Sequence, residues 1–443
     1  MAKSEDAGIV EAAVKKALGA GATDAIAIVN RSSSNQVKFA NSEIATLQSW
    51  LDTSLDIYMV FGKRVLSSSI TDPTRIDATI ELLRRNSARA PENEDYKGIA
   101  EGKFKYRKNP PDKKIIDAEG KLVDLTWKGI LAAEKAGADR TAGTLHRYHT
   151  WSTMRSSRGP SFEEEGASVA FSIRAFNKDG GSGHMSGCST KLADFNPAEP
   201  GKEAGELCKL VRKPQTGPEG KLKVLFTPMS AADIAIHVVG FASAARVESG
   251  MSFLRDKIGK DVGSPMVNLY DDGTLEDGLG SRCADDEGIP TQRTQVVKEG
   301  RLLSYLHNTS TGAKFGAKST GNAGLMFPHP WNCVMEPGDM KHDELLEEMG
   351  DGLIVTNVWY TRFQNYFTGD YSTIPRDAIL KVEKGEVVGA VKGIRVTDNM
   401  GRILKGVCGL GKELRQIYWW EIETPTFVPH VLIKDVGITK STM

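Results

Sequence analysis

Residues 55–73 read LDIYMVFGKRVLSSSITDP. Leu55, Ile57, Met59 and Phe61 alternate with neighbours that face the other way, the two-residue period of a half-buried strand. Gly62 breaks the run and residues 63–70 supply a second strand. Asp72-Pro73 then opens a helix, with Asp72 as N-cap and the proline in the first turn. Upstream, 25–30 and 36–40 read as strands. Residues 5–18 read as an amphipathic helix with Ile9, Val10, Ala13, Val14, Ala17 and Leu18 on one face, closed by Gly19.

The same order returns further on. Residues 143–156 read as a strand, Val169, Phe171, Ile173 and Ala175 alternate, 183–190 follow the Gly180-Gly181 turn, and Asn196-Pro197 opens a helix. This predicts a degenerate duplication of a strand–strand–strand–helix unit, over about 20–90 and about 140–212. A helix at 122–136, ended by Gly137, separates the copies, and the charged, turn-rich 91–113 reads as a solvated connection. Residues 213–220 are polar, with two prolines and two glycines, and read as a linker. Beyond it lie a strand at 221–227, a largely apolar helix at 230–249, and short strands with hairpin turns at Glu299-Gly300 and Lys384-Gly385. The expected class is α+β: an N-terminal α+β region over 1–212, followed by a β-rich domain over 221–443.

Lys+Arg and Asp+Glu both number 57, so the 443-residue chain is formally neutral. Duplex affinity comes largely from phosphate neutralisation, so no nucleic-acid partner is expected. No charged-then-apolar leader opens the sequence, and no apolar run approaches the roughly 20 residues that span a bilayer. Five cysteines lie scattered without a CxxC pair, which suits a reducing cytoplasm better than a disulfide framework. The expectation is a cytoplasmic protein with no membrane partner.

Four stretches in the second half carry a further signal: GSRCADDEGIPTQRT at 280–294, FGAKSTGNAG at 315–324, WYTRFQNYFTGDYS at 359–372 and ETPTFVPHVLIKDVGI at 423–438. Their order and spacing resemble the TldD/PmbA family, the so-called modulators of DNA gyrase, whose catalytic members are zinc peptidases. In those members a helix carries HExxxH, two imidazoles for zinc and a glutamate to activate the bound water. The corresponding helix here reads ADIAIHVVGFASAARVES at 232–249, and HExxxH is absent from the chain. Aligned on Gly240, the ligand positions hold Ile236 and Phe241, and His237 replaces the glutamate. Aligned on His237, Val238 takes the glutamate position and Ala242 the second ligand. Neither frame leaves a ligand pair. Catalytic members also take a cysteine ligand near the C-terminus. Around 416–421 this chain has Tyr418, Trp419 and Trp420, while Cys408 lies earlier and reads as a small buried hydrophobe. His146 and His149 would face opposite sides of a strand, so they do not form a simple metal pair.

The resemblance therefore implies the PmbA/TldE-like branch: a subunit without zinc of its own, paired in a heterodimer with a TldD-like HExxxH subunit that holds the zinc. The family is implicated in maturing peptides and degrading small or unfolded polypeptides. A homodimeric peptide-binding protein and a self-sufficient hydrolase are the other readings, the latter with His237 as the one weak catalytic candidate, to be paired with Asp285, Asp286 or Glu287. His237 alone on an apolar helix reads equally as a hydrogen-bonded core residue. Asp285, Asp286 and Glu287 could do acid–base work or bind a hard cation, or could cap backbone N–H groups in a turn. Thr320, Gly321 and Asn322 read as a polar turn able to approach an extended peptide, or as a plain loop. Tyr360, Arg362, Thr368, Gly369 and Asp370 mix aromatic and charged groups suited to peptide recognition, or to a satisfied strand.

Overall fold

The computed structural model describes residues 2–441, with side chains from residue 5 onward. The N-terminal part is one six-stranded antiparallel sheet. Its strands are β1 (Asp24–Ala40), β2 (Glu43–Phe61), β3 (Arg64–Ile70), β4 (Arg140–Ser156), β5 (Ser161–Phe176) and β6 (Ser182–Ser189), in the order β3-β2-β1-β4-β5-β6. The two copies of the three-strand unit meet through their first strands, with Val29 opposite Thr153. The strands anticipated at 25–30 and 36–40 are a single strand, and β2 begins twelve residues before Leu55. Alternation marks only the half-buried end of these ribbons. The far end of β2 is exposed on both faces, apolar Leu47, Trp50 and Leu51 included, so no burial period marks it for a sequence reading to find.

The helix Leu122–Ala136 is part of a copy rather than a separator between copies. It packs on the helix Ala198–Leu210, as the helix Ala2–Gly19 packs on Ile76–Ser87. The first pair crosses at glycines: a Cβ on Gly201 would stand 2.2 Å from the carbonyl oxygen of Gly129. Each helix pair buries an apolar face on its half of the sheet, with Val10, Ala13, Ile80 and Leu83 over β1 and β2. Ile130, Ala133, Ala204 and Cys208 lie over β5. Both Asx-Pro starts act as anticipated. Asp72 Oδ1 accepts from the Thr74 N–H at 2.9 Å and Asn196 Oδ1 from the Ala198 N–H at 3.3 Å.

The C-terminal part is β-rich and contains a barrel. Strand Gly352–Asn365 pairs with Gly220–Phe226, then come Val431–Lys440, Ile394–Asn399 and Asp370–Glu383, which pairs back onto Gly352–Asn365. A second sheet includes Leu269–Asp272, Cys333–Met335 and Ile422–Val428. Between barrel and second sheet lies the helix Pro228–Phe241, buried along most of its length and packed on Gly352–Asn365 and Ile422–Val428. The single helix expected over 230–249 breaks at Ala242-Ser243 and resumes as Ala244–Glu248, because the Ala244 N–H and the Ala242 carbonyl turn to Leu306 instead of the next helical turn. Both hairpin turns have positive φ at their two central residues, 49° and 76° at Glu299-Gly300 and 52° and 79° at Lys384-Gly385, as a tight hairpin requires.

Two segments read as exposed connections belong to the body. Within 91–113, Tyr96, Ile99 and Ala100 are buried, and Tyr96 Oη donates to Asp24 at 2.7 Å. Within 213–220, Gln215–Thr216 forms a short strand beside Glu386–Lys392. Among the described residues, no helix is long and apolar enough to cross a membrane.

Candidate functional site

The motif residues fall into two places. One is a cleft of about 1420 Å³ between the face of the N-terminal sheet and the C-terminal body. The strands supply Asn30, Trp151 and Glu164, and the C-terminal body supplies Ser281, Arg282, Asp286 and Trp331. Residues 107–112 run along its edge, so the connection read as merely solvated is one of its walls. Tyr106 Oη donates to the Gly288 carbonyl at 2.9 Å, which ties this wall to the acidic turn, and Arg107 donates to the carbonyl of Thr274, just after the strand Leu269–Asp272.

The three adjacent carboxylates have different fates. Asp286 faces the cleft and accepts from Arg282 Nη1 at 2.9 Å. Arg282 also lies 4.8 Å above the Trp331 ring and within 3.5 Å of Glu164, while Glu164 accepts from the Cys283 N–H at 2.5 Å. Asp285 is turned inward. Its Oδ1 accepts from the N–H groups of Glu287 (3.0 Å) and Ile289 (2.9 Å), and its Oδ2 from that of Ala323 (3.0 Å). Burial and the neighbouring Glu287 push its carboxyl well above the usual range, while the N–H donors pull the other way. Glu287 is also buried. It accepts from the N–H and the hydroxyl of Thr309, and burial raises it to about 7.

Thr320, Gly321 and Asn322 lie behind the cleft wall, with Thr320 and Asn322 buried. The Gly321 carbonyl accepts from Trp331 Nε1 at 2.8 Å, and Asn322 Nδ2 donates to Asp271 Oδ2 at 2.6 Å. Asp271 Oδ1 in turn accepts from the N–H groups of Trp331 and Asn332 at 2.7 and 3.0 Å. Burial raises Asp271 to about 7. Gly321 is required where it stands: its φ is +69°, and a Cβ would meet the Pro290 carbonyl at 2.7 Å. These residues hold the Trp331 indole at the cleft and do not themselves line it. Sequence reasoning missed Glu164, Asp271 and Trp331. Their only signals were an acidic run, Glu163-Glu164-Glu165, inside a strand and the Asp271-Asp272 pair at the end of another.

The second place is the end of the helix Pro228–Phe241, where Ile236, His237 and Gly240 are half-buried. His237 Nδ1 lies 2.7 Å from the Asp233 carbonyl oxygen and 3.5 Å from Asp233 Oδ1. Its ring packs on Phe363 at 5.2 Å and Phe241 at 6.3 Å. Buried Asp233, raised by burial, accepts from Thr361 Oγ1 at 2.7 Å. Thr361 sits in a β-bulge. Trp359 is opposite Ile374 and Arg362 opposite Ser372, so two residues face one. The bulge sends Thr361 inward to Asp233, while Tyr360, at φ +58°, stays exposed and donates its N–H to Glu421 Oε1 at 2.6 Å. Thr368, Gly369 and Asp370 form the hairpin turn that follows. Asp370 accepts from Thr368 Oγ1 at 2.6 Å and Asn399 Nδ2 at 2.9 Å, which hold it below the usual carboxylate range.

No ion pair or hydrogen bond among the described residues joins His237 to Asp285, Asp286 or Glu287. Zinc does not fit the helix either. Alkyl and phenyl groups at Ile236, Val238, Phe241 and Ala242 have no lone pair to give. Phe363, whose ring packs on His237, has no donor to add. Cys408 donates its thiol to the Leu432 carbonyl at 3.6 Å. Among the described residues no three His, Cys, Asp or Glu side chains are grouped to hold a metal. His146 and His149 bond separately, to Gln36 and Glu165.

Residues 219–440 match the family described as PmbA/TldA metallopeptidase C-terminal domain, and residues 25–87 match PmbA/TldA metallopeptidase domain 1. The chain belongs to the PmbA/TldD metallopeptidase family. It is 27% identical over 428 residues to a metalloprotease PmbA homolog of Haemophilus influenzae, covering 91% of each chain. It is 38% identical over 144 residues to a metalloprotease of Methanocaldococcus jannaschii, covering 31% of this chain and only about a third of that protein (32%). The fold is similar to that of TldE from Thermococcus kodakarensis, with a TM-score of 0.85 at 18% identity over 97% of this chain and 100% of the other. In this PmbA/TldD chain the family motifs thus divide between a cleft wall, its internal supports, and a bulged strand beside the helix.

Proposed function

We propose that this chain is the non-catalytic, PmbA/TldE-like subunit of a cytoplasmic peptidase complex. It pairs with a TldD-like subunit that carries HExxxH and the zinc, and it shapes the chamber in which small or unfolded polypeptides are held. One observation carries the reading: neither frame of the helix Pro228–Phe241 leaves a ligand pair, with Ile236 and Phe241 at the two positions in one frame and Ala242 opposite His237 in the other. His237, the nearest imidazole, is bonded through Nδ1 to its own helix. Assembly with another subunit is supported by Leu47 and Leu51, which share one face of β2 and stand exposed at 63% and 85%. Such apolar surface on a folded chain calls for a covering partner.

The test is co-expression with the HExxxH-bearing relative from the same genome, followed by native mass spectrometry and zinc analysis. The expected species is a heterodimer with one zinc, and no zinc on the isolated chain. A homodimer with one zinc per protomer would overturn the reading. Peptide cleavage by the isolated chain, abolished in His237→Ala, would establish the self-sufficient hydrolase instead.

A further inference from the structure

The bulge at Tyr360 leaves charge unspent at the surface. Arg362 and Arg376 lie 5.7 and 5.8 Å from the Tyr360 ring centroid, and Arg376 lies 5.1 Å from that of Trp359. Trp420, 51% exposed, packs 5.8 Å from Tyr360 and 5.2 Å from Trp359. Neither arginine forms an ion pair among the described residues. Arg362 donates to the Thr361 carbonyl and senses the buried Asp233 behind it. Glu421, beside the bulge, has an oxygen occupied by the Tyr360 N–H. The left-handed backbone at Tyr360 is uncommon for a bulky residue, and the freed N–H is satisfied by a carboxylate, so the ring is held outward by design of the strand rather than by chance.

Resting on the peptide-binding reading above, we infer that this patch recognises acidic segments of an extended polypeptide, with the side-chain carboxylates on Arg362 and Arg376 and the chain lying over Tyr360 and Trp420. A guanidinium presents a planar fork of N–H donors that matches a carboxylate, and stacking on an aromatic ring pre-orders it without using those donors. Aromatic and arginine side chains together are the groups that carry most of the energy of protein–peptide contacts. The patch therefore selects on charge rather than on lack of structure.

The test uses the full chain and two fluorescein-labelled peptides, one alternating Glu and Ser and one alternating Gln and Ser, read by fluorescence anisotropy. The Glu peptide should bind about tenfold tighter or more, the scale of one charge-assisted contact. Added salt should narrow the gap. Arg362→Gln with Arg376→Gln should abolish the preference. Trp420→Ala, which keeps both charges, should weaken the Glu peptide several-fold and retain the preference. Equal binding of the two peptides, or a preference that survives in the double arginine variant, would overturn the inference. So would loss of the TldD-like partner in the arginine variant without any peptide preference in the parent, which would make the patch a subunit interface. Heterodimer formation and zinc content are read separately, so the subunit reading stands or falls independently of this result.

Discussion

The acidic turn at 285–287 and the bulged strand at 359–362 both look like binding chemistry in one dimension, yet the fold uses them in opposite ways. Asp285 is buried, and both its oxygens are occupied by backbone N–H groups. Glu287 is buried against Thr309. At the bulge, the aromatic rings and two guanidiniums stay at the surface without carboxylate partners. A carboxylate that satisfies three buried donors is a structural element, since its removal strands them. An arginine stacked on a ring and without an ion pair costs the fold little to remove, so its value lies in what it can bind. Charge density along the chain does not separate these cases, whereas the location of the hydrogen-bond partners does.

The contrast can be broken most directly at Asp285. Asp285→Ala leaves three N–H groups without an acceptor and should destabilise the protein by about 3 kcal/mol, read by urea unfolding. An effect below about 1 kcal/mol would mean that the turn is not structural. Asp271→Asn keeps an acceptor for Trp331 and Asn332 but sets one amide NH2 against that of Asn322. A cost of about 2 kcal/mol is expected, with a change in Trp331 fluorescence.

A smaller effect comes from pH. Burial holds Asp271 and Glu287 at about 7, above their ordinary values, so between those values the folded chain keeps protons that the unfolded chain has released. Their stabilising contribution is complete below the unfolded values and is lost as pH rises through 7. Buried His184 and His307 and half-buried His430, lowered to about 4 by burial, act in the opposite sense below their ordinary value of 6.5. The carboxylates therefore dominate this comparison above pH 6.5. Stability should fall by about 1 kcal/mol per group from pH 6.5 to 8, and Glu287→Gln should flatten part of that fall. The smallest effect sharpens the other side: Arg362→Gln with Arg376→Gln should change stability by no more than about 0.5 kcal/mol.

Much of the architecture was legible in the chain. The alternation at Leu55–Phe61 and again at Val169–Ala175, each followed by an Asx-Pro helix start, predicted a repeated unit that the sheet displays with β1 against β4. Two positive-φ hairpins were readable from Glu-Gly and Lys-Gly. The cleft was less legible, because its walls come from Trp151 and Glu164 on the sheet, Arg282 and Trp331 on loops, and a connection that looked like solvated linker. No local pattern links residues brought together over more than a hundred positions.

By itself the sequence determined the periodic elements, the family pattern and the loss of the HExxxH ligand pair, because each is set by residue type at a fixed spacing. Only the tertiary structure decided that Asp285 and Glu287 are interior caps, that Asn322 acts through Asp271 and Trp331, and that a bulge turns Thr361 inward and leaves Tyr360 at the surface. Burial, hydrogen-bond partners and strand register are properties of pairs of distant segments, and the physical role of a polar side chain follows from those pairs.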